Sequence, residues 1–174
     1  LGFSFWCDTD HAGNTEIQNK RRSQNAMVAC IDFVPFDWSS KASSVTFATP
    51  LIGEAHADVS TGSVEIYGAG NATMDILDDC YLIEEMGMEF PIPFILKMDN
   101  TTAKAFCDET VKRSKLKHID CRQEWCKMIR NKNIVIAEYV ESEGNLADIL
   151  TKILEPGIFL YLRDIMMMGY SLPS

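Results

Sequence analysis

The chain changes character once along its length. Up to residue 47 three apolar, β-prone stretches follow one another, at 3–8, 26–34 and 37–47; beyond that point helix-like and strand-like stretches alternate. Strands in direct succession pair antiparallel, whereas strands separated by a helical crossover pair parallel. The order therefore predicts an α/β domain: a mixed five-stranded sheet, three antiparallel strands and then parallel ones, with helices on both faces.

The elements read as follows. The first strand, 3–8, ends at Asp8, and Pro35-Phe36 marks a turn before the third strand. Ser60-Thr61 has the chemistry of a helix N-cap. A long helix runs from there to Gly87 on Val64, Tyr67, Ile76, Leu77, Tyr81, Leu82 and Met86. Gly68 and Gly70 inside it each cost about 1 kcal/mol relative to Ala, which points to close packing there. A short strand, 91–98, leads into Asp99, and a short helix covers 101–109. In an amphipathic helix at 119–131, Ile119, Trp125, Met128 and Ile129 share one face. A strand at 134–140 and a helix at 145–154, stopped by Pro156-Gly157, precede a last apolar helix reaching about Met168. Trp6, Trp38 and Trp125 read as core.

At 174 residues, 47% of them hydrophobic, the chain suits one domain with a sizeable core. We read it as a single domain over 1–174, with 157–174 as a C-terminal helical extension. It begins with Leu1, which reads as a piece cut from a longer polypeptide. No apolar run is long enough for a membrane helix, and no secretory signal is visible. Six cysteines without a C-x-x-C pair point to a reducing, intracellular setting. His118 and Cys121 lack a second ligand pair at zinc spacing.

The net charge of −9 argues against a nucleic-acid partner, but the charge is unevenly spread. Nine of the 16 Lys/Arg and four of the 25 Asp/Glu fall within 104–132, so that segment carries +5 and the remainder −14. Such a segment is either a solvated helix face with its approach loop or a surface for a phosphate backbone.

Four acids stand in separate local contexts: Asp8 in Phe5-Trp6-Cys7-Asp8-Thr9-Asp10, Glu65 in Ser63-Val64-Glu65-Ile66-Tyr67, Asp99 before Asn100, and Asp148 in Leu146-Ala147-Asp148-Ile149-Leu150-Thr151-Lys152. Gathered by a fold, four carboxylates repel and call for a cation. Hard oxygen ligands of this kind suit Mg²⁺ or Mn²⁺. Asp10 falls two residues after Asp8 and so faces the same side of a strand, as an outer-sphere ligand or the first residue of a loop.

The same stretches carry a resemblance. Asp8-Thr9-Asp10-His11-Ala12-Gly13, Lys20-Arg21-Arg22-Ser23, Trp38-Ser39-Ser40-Lys41, Asp99-Asn100, Lys117-His118-Ile119-Asp120 and Leu146 to Lys152 occur in that order. Together they resemble the ribonuclease H domains of copia-type LTR retrotransposons, over about residues 3–165. Two departures stand out. About ten extra residues at 46–58 precede Ser63-Val64-Glu65-Ile66-Tyr67, which makes Glu54 a rival to Glu65. The loop Glu141-Ser142-Glu143-Gly144-Asn145 lacks the His that cellular ribonucleases H often place there.

The resemblance implies the ribonuclease H fold and an endoribonuclease that cleaves the RNA strand of RNA–DNA hybrids during reverse transcription. It implies two Mg²⁺ ions, with Mn²⁺ as a substitute, held by Asp8, Glu65, Asp99 and Asp148. The partners it implies are the hybrid duplex and the reverse transcriptase domain of the same polyprotein. It places the protein in a cytoplasmic virus-like particle or the nucleus, with no membrane. Asn100, Thr101, Lys112, Arg113, Lys115, Lys117 and His118 are the candidate nucleic-acid contacts; Asn100 and Thr101 are equally suited to capping the following helix, and His118 to capping its own. Two other functions compete: a catalytically degenerate domain that docks on a polymerase or binds nucleic acid, and an integrase or junction resolvase of the same fold. Four retained acids disfavour the first, and the Lys117 to Asp120 and Leu146 to Ile149 motifs fit the second poorly.

Overall fold

The structure, a computed structural model, describes residues 2–10, 23–32, 34–42, 61–89, 92–108 and 117–168. Lys20-Arg21-Arg22, the insertion at 46–58 with Glu54, and the basic residues Lys112, Arg113 and Lys115 lie outside them. Five strands, β1 (Phe3–Asp10), β2 (Gln24–Ile31), β3 (Val34–Ala42), β4 (Phe94–Met98) and β5 (Val135–Tyr139), form one sheet in the order β3-β2-β1-β4-β5. β1, β2 and β3 pair antiparallel; β4 pairs parallel with β1, and β5 with β4. Among the helices are α1 (Thr61–Glu85), α2 (Thr101–Cys107), α3 (Lys117–Asn131) and α4 (Pro156–Met168), with short 3-10 turns at Ser142–Gly144 and Leu146–Leu150. The mixed five-stranded sheet expected from the sequence is present.

Side chains alternate across a strand, so β1 feeds two cores. Phe3, Phe5 and Cys7 point to one side with Ile66, Ala69, Ile76 and Ile83 of α1, Phe106 of α2 and Ile129 of α3. Edge-to-face contacts among Phe3, Phe5, Phe36 and Phe94 tie three strands together on that side. Trp6 points the other way, to Val28 and Cys30 of β2, Leu146 and Ala147 of the second 3-10 turn, and Leu162 and Ile165 of α4. Burial on both faces makes β1 the rigid centre of the molecule.

Several expectations shift. The turn between β2 and β3 does not lie at Pro35-Phe36; it runs through Asp32, whose φ is +48°, and Pro35 belongs to β3. Proline is tolerated there because β3 is an edge strand, and a bulge opposite Ala29 and Cys30 accommodates it. Trp38 is not core: it is 63% exposed on that edge. The buried stripe of α1 passes through Val64, Ile66, Ala69, Ala72, Thr73, Ile76, Cys80 and Ile83, leaving Tyr81, Leu82 and Met86 exposed. Small residues in that stripe let the helix lie close to the sheet. On α3, Cys126 and Ile129 are buried, whereas Met128 is exposed. The helix expected at 145–154 is only the Leu146–Leu150 turn, and Pro156 opens α4 at the first helical position, where it lacks no hydrogen bond. All six cysteines are free, and five are buried.

Gly68 is where α1 meets β1 most tightly: a Cβ there would come within 2.0 Å of Thr9 Oγ1 and 3.4 Å of Thr9 Cβ. Thr9 is buried and, being β-branched, stiff at χ1. Gly68→Ala should therefore destabilise the protein by about 1–3 kcal/mol in urea unfolding. Gly68→Ala combined with Thr9→Ala should recover most of that loss, because the residual 3.4 Å approach is close to ordinary contact.

Candidate metal centre

Parallel pairing puts the C-terminal ends of β1 and β4 at the same edge of the sheet. Asp8 stands near the end of β1, facing the same side as Trp6, and Asp99 directly follows β4. Asp148 comes from the 3-10 turn that packs Leu146 and Ala147 onto that side. One carboxylate oxygen from each of Asp8, Asp99 and Asp148 lies within 4.8 Å of the other two. All three side chains are largely covered, at 2%, 12% and 7% exposed.

The cluster is held by neutral donors. Asn145 Nδ2 donates to the Cys7 carbonyl at 3.0 Å, pinning the 3-10 turn to β1 beside Asp8. Asn145 Oδ1 accepts from Ala147 N, capping the same turn. Ser142 Oγ donates to Asp99 Oδ2 at 2.7 Å, and the Thr151 hydroxyl donates to Asp8 Oδ2. The 141–145 loop therefore acts on Asp99 through Ser142.

One cation also enters. Lys152 Nζ lies 3.0 Å from Asp148 Oδ1, 3.2 Å from Asp8 Oδ1 and 3.8 Å from Asp99 Oδ2. The sequence reading passed over Lys152, although its spacing from Asp148 is that of a facing acid–base pair. Ser142 and Thr151 were passed over too, with nothing local to mark them; Asn145, at the head of the expected 145–154 helix, carried the local signal of an N-cap.

Glu65, in the first turns of α1, is outside that trio but feels it. Burial, and then the negative charges of Asp8 and Asp99, push its carboxyl up from 4.5 to about 8, with Lys152 opposing. Asp148 is pushed up from 3.8 to about 6, by burial first and then Asp8, against the pull of Lys152. For Lys152, burial acts downward but is outweighed by Asp8, Asp148 and Asp99, so its ammonium is held more firmly charged than usual. Buried, crowded oxygen ligands with raised carboxyl pKa values suit a hard divalent cation.

The remaining candidates fall elsewhere. Asp10 ends β1 opposite Gln24 and is not in the trio. Asn100 caps α2, its Oδ1 accepting from Thr102 N at 2.8 Å and Ala103 N at 3.0 Å, and Thr101 opens that helix, exposed. Lys117 and His118 open α3, with side chains outside the described residues. Part of the basic segment is neutralised internally, since Asp108 pairs with both Lys104 and Arg130.

The shifts at Glu65 and Asp148 have a thermodynamic consequence. Each group binds its proton more tightly folded than unfolded, so its contribution is complete at low pH and lost as pH rises through the folded value. Asp79, pushed up to about 7 by burial and by Asp37 and Asp75, acts in the same direction. In EDTA the melting temperature should fall between about pH 5 and pH 8.5. Saturating Mg²⁺ should flatten that fall, because the ion takes deprotonated ligands. Glu65→Gln should remove the part nearest pH 8. A melting temperature in EDTA that rises over this window would contradict the crowding described.

No family model matches the chain. By sequence it is similar to the Retrovirus-related Pol polyprotein from transposon RE2 of Arabidopsis thaliana, 25% identical over 152 residues that make up 87% of this chain and 10% of the relative. The polyprotein from transposon RE1 of the same plant is 24% identical over 152 residues, 87% of this chain and 9% of the relative. The chain thus spans about a tenth of the length of these relatives. By structure it is similar to LC11-RNase H1, isolated from compost by a metagenomic approach, with a TM-score of 0.53 at 18% identity over 86% of this chain and 92% of that one. The complex of LC11-RNase H1 with an RNA/DNA hybrid gives 0.51 at 17% identity, over 86% of this chain and 93% of that one. The chain has the ribonuclease H fold, and its sequence relatives are retrovirus-related Pol polyproteins of copia-type transposons.

Proposed function

We propose that this domain is a divalent-metal-dependent endoribonuclease that cleaves the RNA strand of RNA–DNA hybrids during reverse transcription of a retroelement. The observation that carries the reading is the convergence of the Asp8, Asp99 and Asp148 carboxylates within 4.8 Å at the strand-end edge of a ribonuclease H fold. In this reading Asp8, Glu65, Asp99 and Asp148 would hold two Mg²⁺ ions, with Mn²⁺ as a substitute: Asp8 would serve both, Glu65 and Asp99 one, and Asp148 the other. Such a pair of ions supplies an activated water and charge neutralisation at the scissile phosphate. Thr151 and Ser142 hold Asp8 and Asp99 in place, as the outer partners of metal ligands do. Similarity to a segment of Pol polyproteins supports a reverse transcriptase domain of the same polyprotein as partner. It also supports an intracellular site of action, in a cytoplasmic particle or the nucleus. No helix among the described residues is long and apolar enough to cross a membrane.

Lys112, Arg113, Lys115, Lys117 and His118 provide the backbone contacts to the hybrid in this reading. Asn100 and Thr101, beside Asp99, offer hydrogen bonds to a ribose 2′-hydroxyl, the group that separates RNA from DNA. Phosphate contacts give affinity without sequence choice and a marked dependence on salt.

The test compares cleavage of an RNA–DNA hybrid, double-stranded RNA and double-stranded DNA, each with Mg²⁺ or EDTA. Cleavage of the hybrid alone, abolished by EDTA, is expected; cleavage of double-stranded DNA would instead favour a resolvase-like enzyme. Asp8→Asn and Asp99→Asn should each slow cleavage by more than the roughly 10–100-fold loss expected of Ser142→Ala or Thr151→Val. Glu65→Gln should abolish cleavage and Glu54→Gln should not. Neutralising Lys112, Arg113, Lys115 and Lys117 together should weaken hybrid binding and flatten its salt dependence; an unchanged salt slope would mark the segment as a solvated face.

A further inference from the structure

We propose that Lys152 is a built-in counter-ion, seated where the carboxylate cluster takes a divalent cation and displaced from that seat when the ion binds. The inference rests on the metal-site reading above and concerns how that site is regulated.

The geometry is that of a cation site filled by an ammonium. Lys152 Nζ reaches all three carboxylates of the trio, at 3.0, 3.2 and 3.8 Å. No other basic side chain among the described residues forms an ion pair with any of them. Asp8 and Asp148 lie nearest the ammonium, so an ion held by those two carboxylates and the ammonium compete for the same oxygens. An ammonium holds oxygens at about 2.7–3.2 Å, whereas Mg²⁺ draws them to about 2.1 Å, so the two cannot share the seat. Lys152 also has a route out. Its side chain is 32% exposed, compared with 2% for Asp8 and 7% for Asp148. Four methylenes let its strongly hydrated head reach solvent once an ion takes over the carboxylates.

Two consequences follow. Without metal, one ammonium offsets part of the repulsion that would otherwise oppose folding of the cluster. With metal, the ion must first displace that ammonium, so the apparent affinity is scaled down to the fraction of molecules in which Lys152 is out of its seat. Lys152 thus trades metal affinity for stability of the metal-free protein. It acts through the carboxylates, which makes it a positioning residue.

The experiment titrates Mg²⁺ into the full chain without nucleic acid, following binding by calorimetry and melting temperature by circular dichroism. Wild type, Lys152→Met and Asp8→Asn are compared. Lys152→Met should melt lower than wild type in EDTA, yet bind Mg²⁺ at least about tenfold more tightly and gain more in melting temperature from it. Equal or weaker Mg²⁺ binding by Lys152→Met, with wild type still binding, would overturn the proposal and leave the metal site standing. No Mg²⁺ binding by wild type, with Asp8→Asn melting like wild type in Mg²⁺, would overturn the metal site and this proposal together. Should Lys152→Met fail to fold in EDTA, wild type alone decides by nuclear magnetic resonance of its lysine ammonium groups. The Lys152 ammonium should exchange slowly with water in EDTA and rapidly in saturating Mg²⁺; slow exchange in both would overturn the proposal.

Discussion

Like-charge repulsion at one edge of the sheet organises the site. Asp8, Asp99 and Asp148 are brought together at a largely covered edge, where burial and then the charge of Asp8 raise the Asp148 carboxyl to about 6. Glu65, approaching from α1, is raised to about 8 by burial first and then by the charges of Asp8 and Asp99. Such a cluster persists only if something positive enters it. Within the structure that role falls to Lys152, whose ammonium donates to Asp8 and Asp148 and lies 3.8 Å from Asp99. Around the charges, Thr151 and Ser142 donate to Asp8 and Asp99, and Asn145 donates to the Cys7 carbonyl, tying the turn that carries Asp148 to β1.

The cluster is anchored through β1. Its two faces are buried in two cores, one under α1, α2 and α3 and the other under the 3-10 turn and α4. Phe5 and Trp6, neighbours in sequence, are both fully buried on opposite sides. α1 lies against β1 closely enough that Gly68 has no room for a Cβ beside Thr9, and that close approach carries Glu65 toward the end of β1. The second core does the equivalent for Asp148, because Leu146 and Ala147, packed against Trp6 and Val28, are its immediate neighbours. Packing and site are thus one construction: the residues flanking each carboxylate are those that anchor its element.

Much of this was legible in the residues, for physical reasons that can be stated. A strand that runs through Phe5-Trp6-Cys7 into Asp8, two residues short of its end, and another that leads into Asp99 are local patterns of burial followed by charge. Alternation of strand and helix after the third strand implies crossovers and hence parallel pairing. Asn100 was legible as a helix cap for the same local reason. Errors arose where the outcome depends on the neighbour across a sheet or helix. Pro35 signals a turn in isolation, but an edge strand is unpartnered on its outer side and a bulge opposite Ala29 and Cys30 accommodates the ring. Trp38 looks like core until its strand is known to be that edge. The stretch at 145–154 has helical composition but forms only a 3-10 turn, pinned by Asn145 to the Cys7 carbonyl 138 residues away.

The sequence by itself determined which residue types are available and in what order: acids at element ends, a glycine in a long helix, a lysine one turn beyond an aspartate. These are consequences of short-range chemistry, in which a residue's fate follows from its immediate neighbours. Tertiary structure alone decided the distances between them. Whether Asp8 and Asp148 lie within reach of one ammonium, and whether Ser142 meets Asp99, depends on β4 pairing parallel with β1 and on the 3-10 turn settling over Trp6. Coulomb interactions and hydrogen bonds weaken over ångströms, not over positions in a chain. The chemistry of the site therefore came into being only when burial of the two cores had set those ångströms.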